Sequence, residues 1–93
     1  MPDVNMENEE RADVVRRLRR AQGQIGGVVR MLEDGRDCRD VVTQLAAAAR
    51  ALDRAGFRII ASGLGQCLQD EQAGRPDAAA DRAQLERLFL SLA

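Results

Sequence analysis

Histidine, lysine, tryptophan and tyrosine are all missing from this 93-residue chain, and cysteine and phenylalanine occur only twice each. Without histidine there is no imidazole to complete a metal site. Without tryptophan or tyrosine, stacking on single-stranded bases has almost no candidates. No acid–base or nucleophile–base pair is present, so neither an enzyme nor a cofactor is expected. No apolar run approaches the roughly 20 residues that span a bilayer, which argues against a membrane partner. No secretory signal opens the chain, and a cytoplasmic protein with reduced thiols is the expectation.

What is present is helical. Val14, Val15, Leu18, Ile25, Val28, Val29 and Leu32 recur at helical spacing and predict a first helix from about Asn8 to Glu33, stopped by Asp34-Gly35. Asp37 offers an N-cap for a second helix. Its apolar face runs through Val41, Val42, Leu45, Ala48, Ala49, Leu52, Ile59, Ile60, Leu64 and Leu68 to a stop at Gly74 and Pro76. A helix of that length packs against partners along its whole extent. A third helix follows Pro76, with Leu85, Leu88, Phe89 and Leu92 on one stripe. The reading is one all-α domain over 1–93, with 1–8 as a disordered tail. A domain this small gains from association with a second copy.

The two cysteines, Cys38 and Cys67, are 29 residues apart on the second helix. A straight helix holds such residues about 43 Å apart, whereas a disulfide needs Cα atoms within about 7 Å. If the thiols cooperate, each finds its partner on another copy. An antiparallel pairing of second helices that joins Cys38 to Cys67 would set Val41 opposite Leu64, Leu45 opposite Ile60, and Ala49 opposite Gly56. Cys38 lies in a first helical turn, where the macrodipole favours negative charge. Arg36 and Arg39 act in the same direction, and Asp37 and Asp40 oppose them. Cys67 lies among apolar residues. One attacking and one resolving thiol is the division of labour of a redox switch. The plain alternative is that Cys67 is a small buried hydrophobe. A third reading is Cu(I) held by Cys38 and Cys67, for which the chain offers only methionines as further soft ligands.

All 14 basic residues are arginine, against 15 acidic ones. Arg16, Arg17, Arg19 and Arg20 are clustered, while acidic residues gather in Asp3 to Glu10 and Asp70 to Asp81. Arg17, Arg20 and Gln24 share a helix face, and Arg16 flanks Arg20. A charge run of this kind is ordinarily a solvated face; the sharper reading is phosphate contact, with Gln24 in reach of a base edge or the backbone.

Three stretches resemble the copper-sensitive operon repressor (CsoR-like) family: Arg17-Leu18-Arg19-Arg20-Ala21-Gln22-Gly23-Gln24-Ile25, Met31-Leu32-Glu33-Asp34-Gly35-Arg36-Asp37-Cys38, and Asp40-Val41-Val42-Thr43-Gln44-Leu45. The segment from Arg50-Ala51-Leu52 through Gly56 and Ile60 to Cys67 continues the likeness, which covers nearly the whole chain. It implies three-helix protomers, antiparallel dimers pairing into homotetramers, and repression of transcription on operator double-stranded DNA. It also implies that Arg17, Arg20, Gln24 and Arg54 contact DNA or couple to it; with Arg16 they form the candidate DNA-binding set. The family's usual arginine after its Gly-Gln-Val run, which Gly23-Gln24-Ile25 matches, is Gly26 here. Copper-sensing members carry a histidine four residues before the second cysteine, and that position is Gly63. The resemblance is therefore nearest to the histidine-lacking branch that senses persulfides and polysulfides. Its two cysteines, matching Cys38 and Cys67, become bridged across protomers through one or more sulfur atoms. A formaldehyde-sensing branch would instead use Pro2 with Cys38.

Overall fold

Two glycines stop the long helices. The computed structural model describes residues 6–93, and within them runs α1 (Asn8–Glu33), α2 (Cys38–Gln72) and α3 (Ala78–Leu92). Past α1, Gly35 adopts φ +66, its N–H bonding Leu32 O at 3.3 Å and that of Arg36 bonding Met31 O at 2.9 Å. Past α2, Gly74 repeats the arrangement at φ +74, with bonds from Gly74 to Glu71 O at 3.0 Å and from Arg75 to Asp70 O at 2.9 Å. Both ends are Schellman motifs, which need a left-handed residue and satisfy carbonyls the helix leaves open. Asp77, also left-handed at φ +70, leads into α3. The expected capping role of Asp37 is not realised: its side chain makes no cap hydrogen bond, and only its backbone carbonyl engages, accepting from Val41 N–H at 3.1 Å.

Short turns fold each helix back on its predecessor. α1 and α3 each pack on α2 and make no contact with one another. On the α1 side the buried residues recur every seven positions: Val14, Ala21 and Val28 from α1 meet Ala48 and Ala55 from α2. This spacing suits a shallow, coiled-coil-like crossing, and alanines at its centre let the backbones approach. On the α3 side Gly56, Ile60, Gly63 and Cys67 form a second stripe, met by Ala78, Leu85 and Leu92. Phe57 and Phe89 add a tilted ring pair with centroids 5.2 Å apart. α3 therefore antiparallels the second half of α2, with Leu92 at Gly56 and Leu85 at Gly63.

Two expectations are corrected here. Met6 is not part of a loose tail; it is buried with Val14 and Ala55, beside Leu18 and Ile59. The remaining tail residues before it, Met1 and Pro2 among them, lie outside the described residues. Gly56 and Ile60 do not lie open for an inter-protomer crossing as drawn, because Gly56 packs on Leu92 of the same chain and Ile60 is buried within it. Periodicity marks a packing face without naming the helix that fills it.

The protomer measures 57 × 26 × 14 Å, with a radius of gyration of 17.1 Å, against about 12 Å for a compact chain of this length. A thickness of 14 Å is little more than one helix with its side chains. Much apolar surface stays open: Val15, Ile25, Val29 and Leu32 on α1, Val42, Leu45 and Leu52 on α2, and Leu88, Phe89 and Leu90 on α3 are all exposed. No helix is long and apolar enough to cross a membrane.

The α2–α3 stripe predicts opposite outcomes for two neighbouring glycines. A Cβ at Gly65 meets nothing, so Gly65→Ala gains the helix preference of alanine, about 0.5–1 kcal/mol. A Cβ at Gly63 falls 3.1 Å from Leu85 Cδ1, so Gly63→Ala forfeits that gain. Urea unfolding of both variants checks this, and an equal gain at Gly63 would mean that α3 does not pack there.

Candidate functional site

The antiparallel pairing of α1 and α2 turns two arginine pairs toward one another. Arg17, Arg20 and Gln24 from α1 and Arg50 and Arg54 from α2 line a cleft of about 170 Å³, floored by Ala47 and Ala51. No carboxylate lines it. Among the described residues Arg20, Arg50 and Arg54 make no ion pair. The small alanine side chains hold the floor low, and the i, i+4 spacing of Arg50 and Arg54 brings both guanidiniums to the same edge. Four guanidinium groups around one concavity repel each other, and an anion seated between them relieves that repulsion. Gln24 contributes a buried Oε1 with no hydrogen-bond partner, while its backbone carbonyl accepts from Gln44 Nε2 at 3.5 Å.

Asp13 borders this cleft and organises its flank. Its carboxylate accepts from Arg17 Nε at 2.9 Å and faces Arg16 at 3.5 Å and Arg58 at 3.3 Å. The hydrogen bond from Arg17, with the nearby charges of Arg17, Arg58 and Arg16, holds its carboxyl below the usual carboxylate range. The Arg58 contact also ties α1 to α2. Because the folded value is the lower one, this contribution is present at neutral pH and lost as pH falls through that value.

Of the five residues expected at DNA, four converge: Arg17, Arg20, Gln24 and Arg54. Arg16 lies instead on the flank with Asp13, Arg17 and Arg20. Arg50 was missed. Its spacing to Arg54 was legible, but only the pairing with α1 gives that spacing a meaning.

The two thiols occupy contrasting places. Cys38 is the first residue of α2 and exposed, with Arg36 and Asp40 paired beside it at 3.3 Å. Cys67 is 1 % exposed. Burial pushes its thiol above the ordinary range, and Asp81, Asp70 and Glu71 push the same way against Arg82. The structure does not bring the two thiols together in one chain, since both lie on the single continuous α2. Where copper-sensing members of the resembled family carry histidine, Gly63 lies against Leu85, so no room for an imidazole is left in this packing. Among the described residues no group of three or more histidine, cysteine, aspartate or glutamate side chains is placed to hold a metal ion.

A flat three-helix unit with an arginine cleft and two separated thiols belongs to the class of small helical regulators. The chain is a member of the metal-sensitive transcriptional repressor family, whose model matches residues 10–90; it is a family of regulators rather than enzymes. It is similar to the copper-sensing transcriptional repressor RicR of Mycobacterium tuberculosis, 33% identical over 60 residues, covering 64% of this chain and 62% of that protein. It is 34% identical over 74 residues to the copper-sensing transcriptional repressor CsoR of Mycobacterium ulcerans, covering 78% and 63%. A shorter match to the uncharacterized protein YrkD of Bacillus subtilis is 50% identical over 40 residues, covering 43% and 64%. The chain thus spans a little under two thirds of the length of these relatives. No solved structure matches it significantly.

Burial and the surrounding carboxylates predict that Cys67 in a Cys38→Ser variant ionises at higher pH than a free thiol. The folded chain holds this proton more tightly, so stability declines once pH rises past the unfolded thiol's value, about 8.5. Ultraviolet titration of the thiolate checks the ionisation, and a midpoint below that of a free thiol would contradict the burial.

Proposed function

We propose that this protein is a cytoplasmic repressor that binds operator double-stranded DNA as a homodimer or homotetramer and releases it on reaction with reactive sulfur species. The observation that carries the DNA reading is the cleft in which Arg17, Arg20, Arg50 and Arg54 converge with Gln24 and without a carboxylate. Phosphate contacts supply affinity there, and Gln24 is the side chain able to reach a base edge. The net charge of −1 is overcome locally, because no carboxylate lines the cleft. Self-association is favoured by the slab shape and by the apolar rows it leaves exposed, Val15, Ile25, Val29 and Leu32 on α1 with Val42, Leu45 and Leu52 on α2. A second copy covers such rows and duplicates the cleft.

In the sulfur reaction, the Cys38 thiolate attacks the sulfane sulfur of a persulfide RS–SH, forming Cys38–S–SH and releasing RS⁻. The thiolate of Cys67 on a partner copy then attacks Cys38 Sγ itself, breaking the bond between Sγ and the outer sulfur. A disulfide forms and HS⁻ leaves. A prior second sulfur transfer to Cys38–S–SH gives a trisulfide by the same route. The exposure of Cys38 and the lack of histidine in the chain support this reading.

A second reading, Cu(I) bound by Cys38 and Cys67 of two copies, is favoured by the names of the relatives, two of which are copper-sensing repressors. Among the described residues no cluster of three histidine, cysteine, aspartate or glutamate side chains accompanies it. Anaerobic titration separates the two: stoichiometric Cu(I) binding that abolishes DNA binding supports copper.

Two measurements test the main reading. Arg50→Ala should weaken binding to promoter DNA at every salt concentration and lower the salt slope by roughly one, whereas Arg16→Ala should change it less. An unchanged slope for Arg50→Ala removes the cleft from the interface. Mass spectrometry after polysulfide treatment should give a covalent dimer that disappears in Cys38→Ala and in Cys67→Ala; a monomer mass under all conditions rejects the sulfur switch.

A further inference from the structure

The helix α3 lies over a thiol that the sulfur chemistry needs to expose. Cys67 is 1 % exposed in the folded chain. One turn before it, Gly63 offers no side chain and Leu85 of α3 fills the space, with Cδ1 3.1 Å from the position of a Cβ. One turn after it, Glu71 accepts a hydrogen bond from Arg82 Nε of α3 at 3.0 Å, and Arg82 Nη1 also donates to Glu86 at 2.9 Å. Cys67 therefore sits between an apolar plug and a charged clasp, both supplied by α3.

α3 is held by α2 alone: it makes no contact with α1, and only Ala78 and Leu85 are buried on it. A terminal helix packed on a single neighbour can open locally without unfolding the rest of the chain.

We propose that α3 is a shutter over Cys67, clasped by the Arg82–Glu71 ion pair, and that this thiol reacts only in molecules whose α3 has lifted from α2. Cys38 is already exposed in the folded protomer and reacts first; Cys67 is released by a separate, local opening. The charged groups facing the thiol, Asp70, Glu71, Asp81 and Arg82, move or lose their pairing as α3 lifts. The meaning of this order for sensing rests on the persulfide reading, but the shutter itself does not.

The test uses the full chain carrying Cys38→Ser, so that Cys67 is the sole thiol, and follows its addition to a maleimide. The rate in the folded protein should fall more than a hundredfold below that in denaturant. Arg82→Gln should speed the reaction roughly three- to fivefold, the scale on which a partly exposed ion pair biases opening, and Arg82→Lys should restore most of the protection. The direction is diagnostic. Arg82 favours the thiolate through its charge, so if electrostatics alone governed the rate, Arg82→Gln would slow it. Leu85→Ala, checked for intact helix content, should speed the reaction further. A folded rate equal to the denatured one, or a slower rate in Arg82→Gln, overturns the shutter. Acceleration by Arg82→Gln without any polysulfide-induced dimer of the native chain upholds the shutter and rejects the sulfur switch instead.

Discussion

Everything in this protomer is hung on α2. A 35-residue helix has too much surface for one neighbour, and its sequence divides that surface into two stripes of small and apolar residues. Ala48 and Ala55 receive α1; Gly56, Ile60, Gly63 and Cys67 receive α3. Small residues dominate both stripes, so the helices approach closely and their contacts depend on backbone proximity as much as on side-chain volume. The result is a layer with no second sheet or helix above it, and apolar side chains are left facing outward on both α1 and α2. A layered domain has one buried interior only when something covers its open face.

The same division assigns chemistry to place. The α1 stripe aligns Arg17 and Arg20 with Arg54 and Arg50, because antiparallel helices at heptad spacing bring equal steps of sequence into opposition. Asp13 then acts as the counterweight at the edge of the cleft. It binds Arg17 and Arg58 but not Arg20, Arg50 or Arg54, leaving these three with no ion pair among the described residues. The α3 stripe does the reverse for Cys67. It surrounds a thiol with apolar atoms and carboxylates, conditions that favour the protonated form.

Much of this was legible in the residues. Gly35 and Gly74 mark the helix ends because a left-handed residue there is a local requirement, set by two or three neighbours. The bounds of α1 and α2 follow from such signals and from the apolar period, and so does the place of α3 after Pro76. The pairing of faces was not legible. Gly56 and Ile60 read equally well as an inter-protomer crossing or as the bed of α3, and only the fold decides between them. Arg50 was overlooked for the same reason, since its role depends on which helix lies opposite. Met6 was read as tail because a single apolar residue among acids carries no period, yet it closes the end of the α1–α2 core. Asp37 shows the limit of cap statistics: the residue type suits the position, but its carboxylate makes no cap bond.

The overlap of the two stripes has a consequence for communication within the protomer. α1 and α3 do not touch, so any influence of one on the other passes through the stretch of α2 that both cover. There Ala55 faces α1, Gly56 faces Leu92, and Arg58 reaches Asp13 at 3.3 Å. Coupling between distant groups requires an element with two arrangements that both groups bias. The candidate element is this overlap rather than the exposed ends of the helices, because it alone is packed on two sides. Cys38 lies outside it, at the exposed start of α2, and Cys67 lies just beyond its far end. A covalent link made at Cys67 therefore acts on α2 close to the doubly packed stretch, whereas modification of Cys38 alone acts on a terminus that packs weakly. The buried thiol, not the exposed one, borders the stretch of α2 through which α1 and α3 can influence each other.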